Sequence, residues 1–519
     1  MTLLTSYTSY ADALAHFTPE KLWDLFAGER DRLNIAHECV DRHAVDSQRP
    51  AVVIVRLGAP DQVLTYREIA RDSSRFANWL IKQGITKGDR VAIMLEPNRA
   101  FYAALFGAIK AGAVAVPLFT LFGPDGVKLR VGDCQPKFIV TNSEKLDAVV
   151  DVQDVKVVIA DDDFFNDLDN YSDTFTPNTN SRDMAIYQYT SGTTRELPEA
   201  VKHTHRSIVT LMVSALYGTG LRPGDKFFCP SSPAWGHGLW HGTLAPMALG
   251  LTIGTFAGRF NAEALLDALA RHRFTNMSAA ATHYRMMKVV TDHQSRRYAI
   301  EKLSFTGEPM DQSTEAFVCQ TFKTPACSMY GTTEIGVILV SYPGASDFDV
   351  RPGSLGKPIP GAEVRIVDAL DRQCPPNIIG EIKVFRKGEW IATKDLGHTD
   401  DSGYFFHRGR ADDVIISAGW TMSAVEIENA ILKHKDVLEA AAIGVPDSQR
   451  GQIVRAYVVS DRPGTEKFID EIQQLVRTGL SQHEYPRQVA FVGELPKTPA
   501  GKINRKKLRE ADLIRTNQI

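Results

Sequence analysis

The most constraining stretch of this chain is the run RVAIMLEPNRAFYAALFGAIKAGAVAVPL at residues 90–118. It contains an apolar strand pattern at 91–95, a helix pattern with an apolar stripe, Gly112, and a second strand pattern at 114–118. Two strands joined by a helix pair in parallel, because the helix supplies the crossover that parallel strands need. The run therefore predicts a βαβ unit within an α/β fold.

Further strand and helix patterns extend this organisation. Four segments have the residue pattern of strands: KFIVTN, VKVVIAD, KFFCPS and LTIGTFA. A helical pattern, NAEALLDALARHRF, lies among them. Their alternation predicts a large N-terminal domain of mixed, largely parallel sheets with helices. Ligands of such a sheet bind in loops at the strand ends.

The pattern changes after Tyr330. GAEVRIVDA and GEIKVFR alternate apolar and polar residues, which predicts a small barrel-like subdomain of antiparallel strands. The charged segment GRADDVIISAGW then precedes a compact run of two helix and two strand patterns. We therefore expect an N-terminal domain at 1–410 and a small α+β C-terminal domain at 411–519.

The charge balance favours small-molecule partners. The chain of 519 residues has 59 basic and 62 acidic residues and a formal net charge of -3, so no overall field attracts nucleic acid or an anionic membrane. The N-terminal residues lack a basic start and a continuous apolar core, and no later run reaches membrane-spanning length. We expect a soluble, cytoplasmic protein.

The six cysteines are scattered, with no CxxC pair and no close Cys/His cluster. This spacing predicts neither a zinc site nor a disulfide framework, and buried reduced thiols are expected. The cysteines are Cys39, Cys134, Cys229, Cys319, Cys327 and Cys374.

The segment YTSGTTRELPEAVKHTH at 189–205 begins with a cluster of Gly, Ser and Thr directly after the strand-like AIYQY. Glycine permits close backbone approach, and amides and hydroxyls supply donors, so such a loop suits phosphate. Taken alone, the cluster is more often an ordinary turn. The Walker pattern GxxxxGK[ST] is absent, which argues against a P-loop ATPase.

Distant motifs provide the context for this loop. They are YTSGTT (189–194), TGEP (306–309), YGTTE (330–334), GSLGKPIPGAEVRIVD (353–368), TKD (393–395), DSGYFFHRGRADDVI (401–415) and LPKTPAGKINR (495–505). In this order and spacing they resemble the adenylate-forming superfamily of acyl-CoA synthetases, luciferases and peptide-synthetase adenylation domains. The resemblance covers nearly the whole chain. It implies that a carboxylate reacts with ATP to give an acyl adenylate and pyrophosphate, after which the acyl group passes to a thiol.

The resemblance assigns the groups that neutralise phosphate charge, which builds up when a carboxylate approaches a polyanion. Thr333 would contact the α-phosphate, and Glu334 would bind Mg²⁺, a cation that prefers oxygen ligands. Lys502 would hold the carboxylate and the α-phosphate, and its motif is known in this family as a target of inhibitory acetylation by a protein lysine acetyltransferase. The loop residues assigned to the ATP phosphates are Thr190, Ser191, Gly192, Thr193 and Thr194.

The nucleoside is assigned to other motifs. Asp395 resembles the aspartate that accepts both ribose hydroxyls, a task suited to the two oxygens of a carboxylate, and Arg410 would add a further ribose contact. The usual TGD here reads TKD, with Lys394 in place of glycine, and Asp400 is the alternative carboxylate. The residues expected around the adenine and the α-phosphate are Gly307, Glu308, Pro309, Tyr330, Gly331 and Thr332, with Tyr330 stacked on the base.

The resemblance also implies that the C-terminal domain is mobile. It would rotate after adenylation, so that Lys502 leaves and a thiol enters, and Asp412 matches the hinge. Rotation would bring ISAGW (416–420) toward the active site, where Gly419, next to Trp420, would leave room for a pantetheine arm.

Two N-terminal segments resemble the acetyl- and medium-chain acyl-CoA synthetase branch, and this resemblance favours free coenzyme A as the acceptor. They are LNIAHECVDRHA and, after it, LTYREIA. Acetate-specific relatives block the acyl pocket with a tryptophan where this chain has Gly331, so an acid larger than acetate is expected. Trp235 and His237 resemble one wall of that pocket and AATHYR (280–285) a second wall, although His237 could equally be plain core. Medium-chain, branched and aromatic acids all remain open.

The phosphate loop departs from the family pattern. After TSGTT the family continues G-x-P-K-G-V, whereas this chain has RELPEAV. A catalytically weak member is therefore one alternative, and an adenylating enzyme with a different acceptor is another. Arg195 or Lys202 could replace the missing lysine charge. Because the remaining motifs are retained, the sequence favours a working ATP-dependent acyl-CoA synthetase.

Overall fold

The computed structural model describes residues 4–149, 152, 154–189, 199–332, 335–386, 388–410, 414–417, 420–447, 451–480, 485–497 and 503–516. Its strands are β1 (Pro50–Arg56), β2 (Gln62–Thr65), β3 (Arg90–Ile93), β4 (Val114–Pro117), β5 (Phe138–Thr141), β6 (Lys156–Ile159), β7 (Met184–Gln188), β8 (Val201–Thr204), β9 (Lys226–Phe228), β10 (Thr252–Ala257), β11 (Asn276–Ala280), β12 (Lys302–Thr306), β13 (Ala326–Thr332), β14 (Gly336–Val340), β15 (Ser354–Pro358), β16 (Val364–Val367), β17 (Gly380–Arg386), β18 (Glu389–Thr399), β19 (Phe405–Arg410), β20 (Val414–Ser417), β21 (Trp420–Ser423), β22 (Glu439–Asp447), β23 (Gly451–Val459) and β24 (Gln488–Phe491).

The α-helices are α1 (Tyr10–His16), α2 (Ile35–Cys39), α3 (Tyr66–Lys82), α4 (Arg99–Lys110), α5 (Pro124–Cys134), α6 (Leu146–Val149), α7 (Asp162–Leu168), α8 (Ser207–Tyr217), α9 (Ala245–Ala248), α10 (Ala262–Arg271), α11 (Ala281–Lys288), α12 (Gln312–Phe322), α13 (Ala424–Ile431), α14 (Glu466–Gly479) and α15 (Arg505–Thr516). A π-helix spans His237–Leu244 and continues directly into α9.

The predicted βαβ unit lies in a six-stranded sheet with the order β6-β5-β3-β4-β7-β8. Strands β3 and β4 pair in parallel, and α4 connects them. Strand β7 pairs in parallel with β4, and β8 at the edge is antiparallel. Helix α4 packs tightly on α3, because a Cβ on Gly107 would lie 2.8 Å from the Ser73 carbonyl oxygen. The expected parallel α/β arrangement is confirmed here.

The second sheet has thirteen strands in the order β16-β17-β18-β19-β15-β14-β13-β12-β11-β9-β10-β1-β2. Its middle strands, from β1 through β10, β9, β11 and β12 to β13, pair in parallel. From β13 onward the pairs are antiparallel. The change predicted after Tyr330 thus occurs at the β13–β14 hairpin, where antiparallel strands extend the same sheet.

One hydrophobic core joins the two sheets. Strand β1 contributes five consecutive buried residues, as expected for a strand covered on both faces. Phe76 and Trp79 of α3 stack with ring centroids 5.6 Å apart, and Phe164 of α7 packs edge-on against both. The same cluster of buried residues includes Val52 and Ile54 of β1 and Val91 and Ile93 of β3, so the core extends across both sheets.

The C-terminal part has its own sheet and core. Strands β22 and β23 are antiparallel, β24 joins β23 in parallel, and β20–β21 form a separate hairpin. Helix α14 buries Phe468, Ile472 and Val476, whose spacing of four places them on one face. An ion pair between Arg408 of β19 and Glu426 of α13 connects this part to the larger one. The boundary residues 411–413 lie outside the described residues, so the division at 410/411 stays a prediction.

The expected fold class is therefore confirmed, with one correction at the cysteines. Four of them are buried, but Cys319 is exposed, because it lies on the outer face of α12, and Cys374 is half-buried. Within the described ranges, no helix combines the length and the apolar composition that crossing a bilayer requires.

Candidate active site

Asp133 of α5 joins the two ends of the predicted phosphate loop. The Tyr189 hydroxyl, directly before the loop, donates to Asp133 Oδ2 at 2.6 Å. The backbone N–H of Ala200, directly after the loop, donates to the same oxygen at 3.2 Å. Sequence reasoning missed Asp133, because it precedes Tyr189 by 56 residues and belongs to no motif. Thr190, Ser191, Gly192, Thr193, Thr194 and Arg195 lie outside the described residues, so their contacts stay predictions.

Lys202, the other candidate for the missing lysine charge, lies on β8. It is paired with Tyr187 of β7, and its Nζ lies 5.4 Å from the centroid of the Tyr187 ring. The ammonium group therefore has an aromatic partner within the sheet. A role for Lys202 at the phosphates stays a prediction.

Asp395 lies in a bulge of β18 formed by the TKD sequence. The β17–β18 pairing skips from Lys383–Ala392 to Glu381–Leu396, and the Asp395 N–H donates to Thr393 Oγ1 at 3.1 Å within the bulge. Lys394 has φ 64°, a left-handed conformation that favours glycine. The bulge therefore accounts for the glycine of the usual TGD, and this chain forms it with lysine.

The structure brings Asp395, Tyr330 and Arg410 together from three strands. Asp395 is only 6% exposed, and the Tyr330 hydroxyl donates to its Oδ2 at 2.5 Å. In the β18–β19 register, Arg410 lies directly opposite Asp395. These are the residues assigned above to the ribose and the base.

His407 is a further neighbour of Asp395, and sequence reasoning missed it. The Gly409 N–H donates to His407 Nδ1 at 3.3 Å, so the proton of a neutral ring lies on Nε2. That Nε2 lies 3.8 Å from Asp395 Oδ1. His407 lies within the segment DSGYFFHRGRADDVI that carries the resemblance, but no role was assigned to it there.

Asp400, the alternative carboxylate, has local partners. Its Oδ1 accepts the N–H groups of Ser402 and Tyr404 at 2.9 Å each, and its Oδ2 pairs with Arg351. Against the effect of burial, these N–H groups and the Arg351 guanidinium hold the pKa of Asp400 below its ordinary value. Asp400 therefore closes a turn, which leaves Asp395 as the better candidate for a ligand.

The predicted adenine-side loop follows β12. Gly307 has φ 98°, so a glycine is needed to turn the chain there. The Glu308 carboxylate accepts the Thr282 hydroxyl at 2.5 Å and pairs with Arg285, both on α11. Pro309 is exposed. Glu308 thus anchors the loop to α11, and this leaves the backbone of the loop as the part available to a base.

The predicted acyl-pocket residues lie at the start of the π-helix. His237 is 6% exposed, and its ring nitrogens lie 2.8 Å from Ser278 Oγ and 3.1 Å from Ser231 Oγ. The Trp235 ring lies 5.4 Å from the His237 ring. His237 is therefore a hydrogen-bonded buried histidine that ties the π-helix to β11.

Sequence reasoning also missed Gln188, the last residue of β7. Trp240 Nε1 of the π-helix donates to Gln188 Oε1 at 2.9 Å, and the His203 ring lies 4.6 Å from the Trp240 ring. The π-helix thus links β7 of one sheet with β11 of the other. The available signal was a polar residue in the otherwise apolar strand AIYQY.

The histidines around this helix are uncharged near neutral pH. Burial lowers the pKa of His203, His241 and His283 to about 4. Burial, with smaller effects of His241 and His283, lowers the pKa of His237 well below its ordinary value. The segment therefore presents neutral polar atoms and no cation from these side chains.

Gly331 lies at the β13–β14 hairpin and is exposed, and Thr332 follows it. A Cβ on Gly331 would lie 2.1 Å from the Gly336 carbonyl oxygen, so the close approach of the two strands itself requires glycine. In this backbone, a side chain at position 331 would meet β14.

Residues 40–392 match the family described as AMP-binding enzyme, and residues 426–502 match the AMP-binding enzyme C-terminal domain. The chain belongs to the AMP-binding enzymes. It is 31% identical to acetyl-coenzyme A synthetase of Bacillus subtilis, with 97% of this chain and 95% of that protein covered. It is 28% identical to the human mitochondrial acyl-coenzyme A synthetase ACSM3, with 89% and 86% covered.

The crystal structure of a Brucella canis acyl-CoA synthetase superimposes with a TM-score of 0.76 at 30% identity, covering 98% of this chain and 100% of that one. This AMP-binding enzyme is an AMP-forming ligase of the acyl-CoA synthetase type, and enzymes of this family use ATP and CoA.

Several residues expected in such an enzyme lie outside the described residues. They are Thr333, Glu334, Asp412, Gly419 and Lys502, and of Arg410 and Trp420 only the strand positions are described. Within the described part of the chain, no group of three His, Cys, Asp or Glu side chains could hold a metal ion. The assignment of Mg²⁺ to Glu334 therefore stays a prediction.

Proposed function

We propose that this enzyme activates a carboxylic acid larger than acetate and transfers the acyl group to coenzyme A. The carboxylate oxygen attacks the α-phosphorus of ATP and pyrophosphate leaves, which gives an acyl-AMP. The thiol of CoA then attacks the acyl carbon and AMP leaves. The observation that carries the proposal is the buried Asp395, bonded to Tyr330 and opposite Arg410, since a buried carboxylate beside an aromatic ring suits a nucleoside.

In this proposal, Asp395 accepts both ribose hydroxyls, and Arg410 adds a further ribose contact. A carboxylate has about four lone-pair positions, so the Tyr330 bond to Oδ2 can persist while ribose binds. The Nε2–H of His407 lies beside the other oxygen and helps to orient the carboxylate. The Tyr330 ring and the backbone of 307–309 face the base.

The phosphates are proposed to bind at 190–194, with Thr333 at the α-phosphate and Lys502 between it and the acid. Their donors stabilise the negative charge of the transition state, which is the main task in phosphoryl and adenylyl transfer. Mg²⁺ on Glu334 would neutralise part of the phosphate charge when bound. Asp133 supports this loop at its base.

The C-terminal part, 411–519, is proposed to act as a lid that pivots at Asp412. It presents Lys502 for adenylation and then Gly419 and Trp420 for the entry of CoA. Its separate core and sheet support this proposal, because a body that packs within itself can rotate without unfolding.

The size of the acid rests on the resemblance at Gly331, where acetate-specific relatives have a tryptophan; in the backbone of this chain, a side chain at 331 would meet β14. Medium-chain, branched and aromatic acids are the proposed substrates. The relatives named above include an acetyl-coenzyme A synthetase, so acetate must be part of any substrate panel.

A panel from acetate to dodecanoate, with branched acids and benzoate, tests the proposal through pyrophosphate release with and without CoA. We expect kcat/KM for the preferred acid to exceed that for acetate at least about 10-fold, which corresponds to about 1.4 kcal/mol, and acyl-CoA to form only when CoA is present. Acetate as the best substrate would contradict the acid size. Pyrophosphate without thioester would indicate another acceptor, and no acid-dependent pyrophosphate would indicate a catalytically weak family member.

A further inference from the structure

The Gln188 side chain has a fixed orientation and one unused donor. It is 5% exposed, and its Oε1 accepts from Trp240 Nε1 at 2.9 Å. An indole nitrogen only donates, so the accepting atom must be the amide oxygen, and the position of the NH₂ group follows from it. That Nε2 is buried and has no hydrogen-bond partner within the described structure. An unsatisfied buried amide donor is unfavourable, so a ligand that satisfies it gains affinity.

His241, which follows Trp240 in the chain, has an unused acceptor. Ser214 Oγ donates to the Leu211 carbonyl at 2.9 Å, so it accepts from His241 Nε2, also at 2.9 Å. This bond places the proton of the neutral ring on Nε2 and leaves Nδ1 as an acceptor. Nδ1 is buried and, among the described residues, unpaired. The π-helix therefore carries an unused acceptor next to the residue that orients Gln188.

Gly236 leaves space beside the Gln188 amide. A Cβ on Gly236 would meet Gln188 Oε1 at 3.5 Å and Nε2 at 3.9 Å, which is ordinary van der Waals contact. Because the φ of Gly236 is -53° and its ψ -42°, any residue could adopt its backbone, so the backbone does not require glycine there. A methyl-sized group therefore fits between the π-helix and the amide without displacing either.

We infer that Gln188 selects acids with an uncharged oxygen substituent, a hydroxyl or keto group, which accepts a hydrogen bond from Nε2. This inference rests on the proposed function, since it places the acyl chain along the π-helix. The neutral amide and the neutral histidines match an uncharged oxygen better than a second carboxylate, which would be buried without a cation. A hydroxyl substituent can in addition donate to an acceptor, whereas a keto group cannot.

The experiment compares kcat/KM for hexanoate with those for its 3-, 4-, 5- and 6-hydroxy and 5-oxo derivatives, and for benzoate with its three hydroxy isomers. We expect at least one oxygenated acid to exceed its parent at least about 10-fold, because a site with a buried polar group discriminates against an analogue that leaves it unpaired. In Gln188→Met, of similar length but without the donor, the ratio of oxygenated acid to parent should fall at least about 10-fold.

Gly236→Ala is the second variant, because its methyl group would occupy the space beside the amide. Gly236→Ala should lower the ratio of kcat/KM for the oxygenated acid to that for its parent, while the midpoint of thermal unfolding stays at the wild-type value. The ratio of kcat/KM for the oxygenated acid to kcat/KM for its parent decides between the two roles, since a purely structural role of Gln188 would lower kcat/KM for all acids equally. Equal losses for parent and oxygenated acids in both variants, or a wild-type enzyme that prefers every parent acid, would overturn the inference. If no acid gives pyrophosphate, the proposed function itself is wrong; a preference for plain acids with normal thioester formation refutes this inference alone.

Discussion

At the scale of single residues, the structure shows how a few side chains hold the loops of the candidate site in place. Asp133 bonds both ends of the phosphate loop through one oxygen. Thr393 closes the bulge that carries Asp395, and Glu308 holds its own loop to α11. Asp133 belongs to no motif, because it comes from another element of the fold, whereas Thr393 and Glu308 are part of the TKD and TGEP motifs themselves.

Asp133→Ala tests the role of Asp133 at the phosphate loop. The variant loses the oxygen that accepts from both the Tyr189 hydroxyl and the Ala200 N–H, and among the described residues only the Arg130 carbonyl oxygen, 2.9 Å from the Tyr189 hydroxyl, remains at one end of the loop. Ordering the loop around ATP then costs more conformational entropy. Asp133 is exposed, so we expect its loss to weaken ATP binding only modestly. KM for ATP should rise about 3- to 10-fold, where a 10-fold rise corresponds to about 1.4 kcal/mol. Steady-state pyrophosphate release measures it. Lys128→Ala, exposed on the same helix, is the control, and an equal rise in both variants would count against Asp133.

At the scale of elements, the π-helix is the segment that connects the two sheets. It bonds to β7 through Trp240 and to β11 through His237. π-helices are rare and often occur at functional sites, where they direct side chains that a regular helix would separate. Its glycines permit this geometry, because a Cβ on Gly238 would lie 2.2 Å from the Ser232 carbonyl oxygen.

Gly238→Ala should therefore displace the π-helix. The new methyl group meets backbone that cannot move alone, so we expect a loss of about 1–3 kcal/mol or more in the free energy of unfolding and a loss of acid activation. Gly236→Ala is the matched control two residues earlier, where space is available, and its stability should change by less than about 0.5 kcal/mol. Urea unfolding measures both. A Gly238→Ala variant as stable as the control would refute the close contact.

At the scale of the whole molecule, buried neutral histidines make stability depend on pH. Burial lowers the pKa of His203, His205, His241 and His283 to about 4, whereas an unfolded chain has histidine pKa values near about 6.5. Between these values the unfolded chain binds protons that the folded chain excludes. The free energy of unfolding is therefore complete above about pH 6.5 and falls as the pH is lowered toward about 4.

His205→Asn should reduce this dependence. One excluded proton contributes up to about 1.4 kcal/mol per pH unit, so the slope of the unfolding free energy between about pH 6 and 5 should fall by about that amount. Asparagine can still accept the Ile35 N–H that His205 Nδ1 accepts at 3.1 Å. Urea unfolding from pH 5 to 8 measures the slope, with His16→Asn on the surface as the control. An unchanged slope in His205→Asn would show that His205 does not exclude a proton.

The sequence by itself determined the α/β class, the βαβ unit, the change to antiparallel strands after Tyr330 and the family, because periodicity and motif order are local or linear properties. It also selected Asp395 over Asp400 from motif spacing, and the structure shows the physical difference: Asp395 is buried beside Tyr330, and Asp400 closes a turn.

Only the tertiary structure decided which residues support the site. Asp133, Gln188 and His407 act on neighbours from other elements, and no periodicity or motif records such a contact. The hydrogen bonds of Asp133 and Gln188 depend on where α5, β7 and the π-helix come to lie. The position of His407 beside Asp395 depends on the register of β18 and β19. The unpaired Nε2 donor of Gln188 likewise could be recognised only in the folded structure, because the burial of an atom and its hydrogen-bond partners are properties of the folded chain.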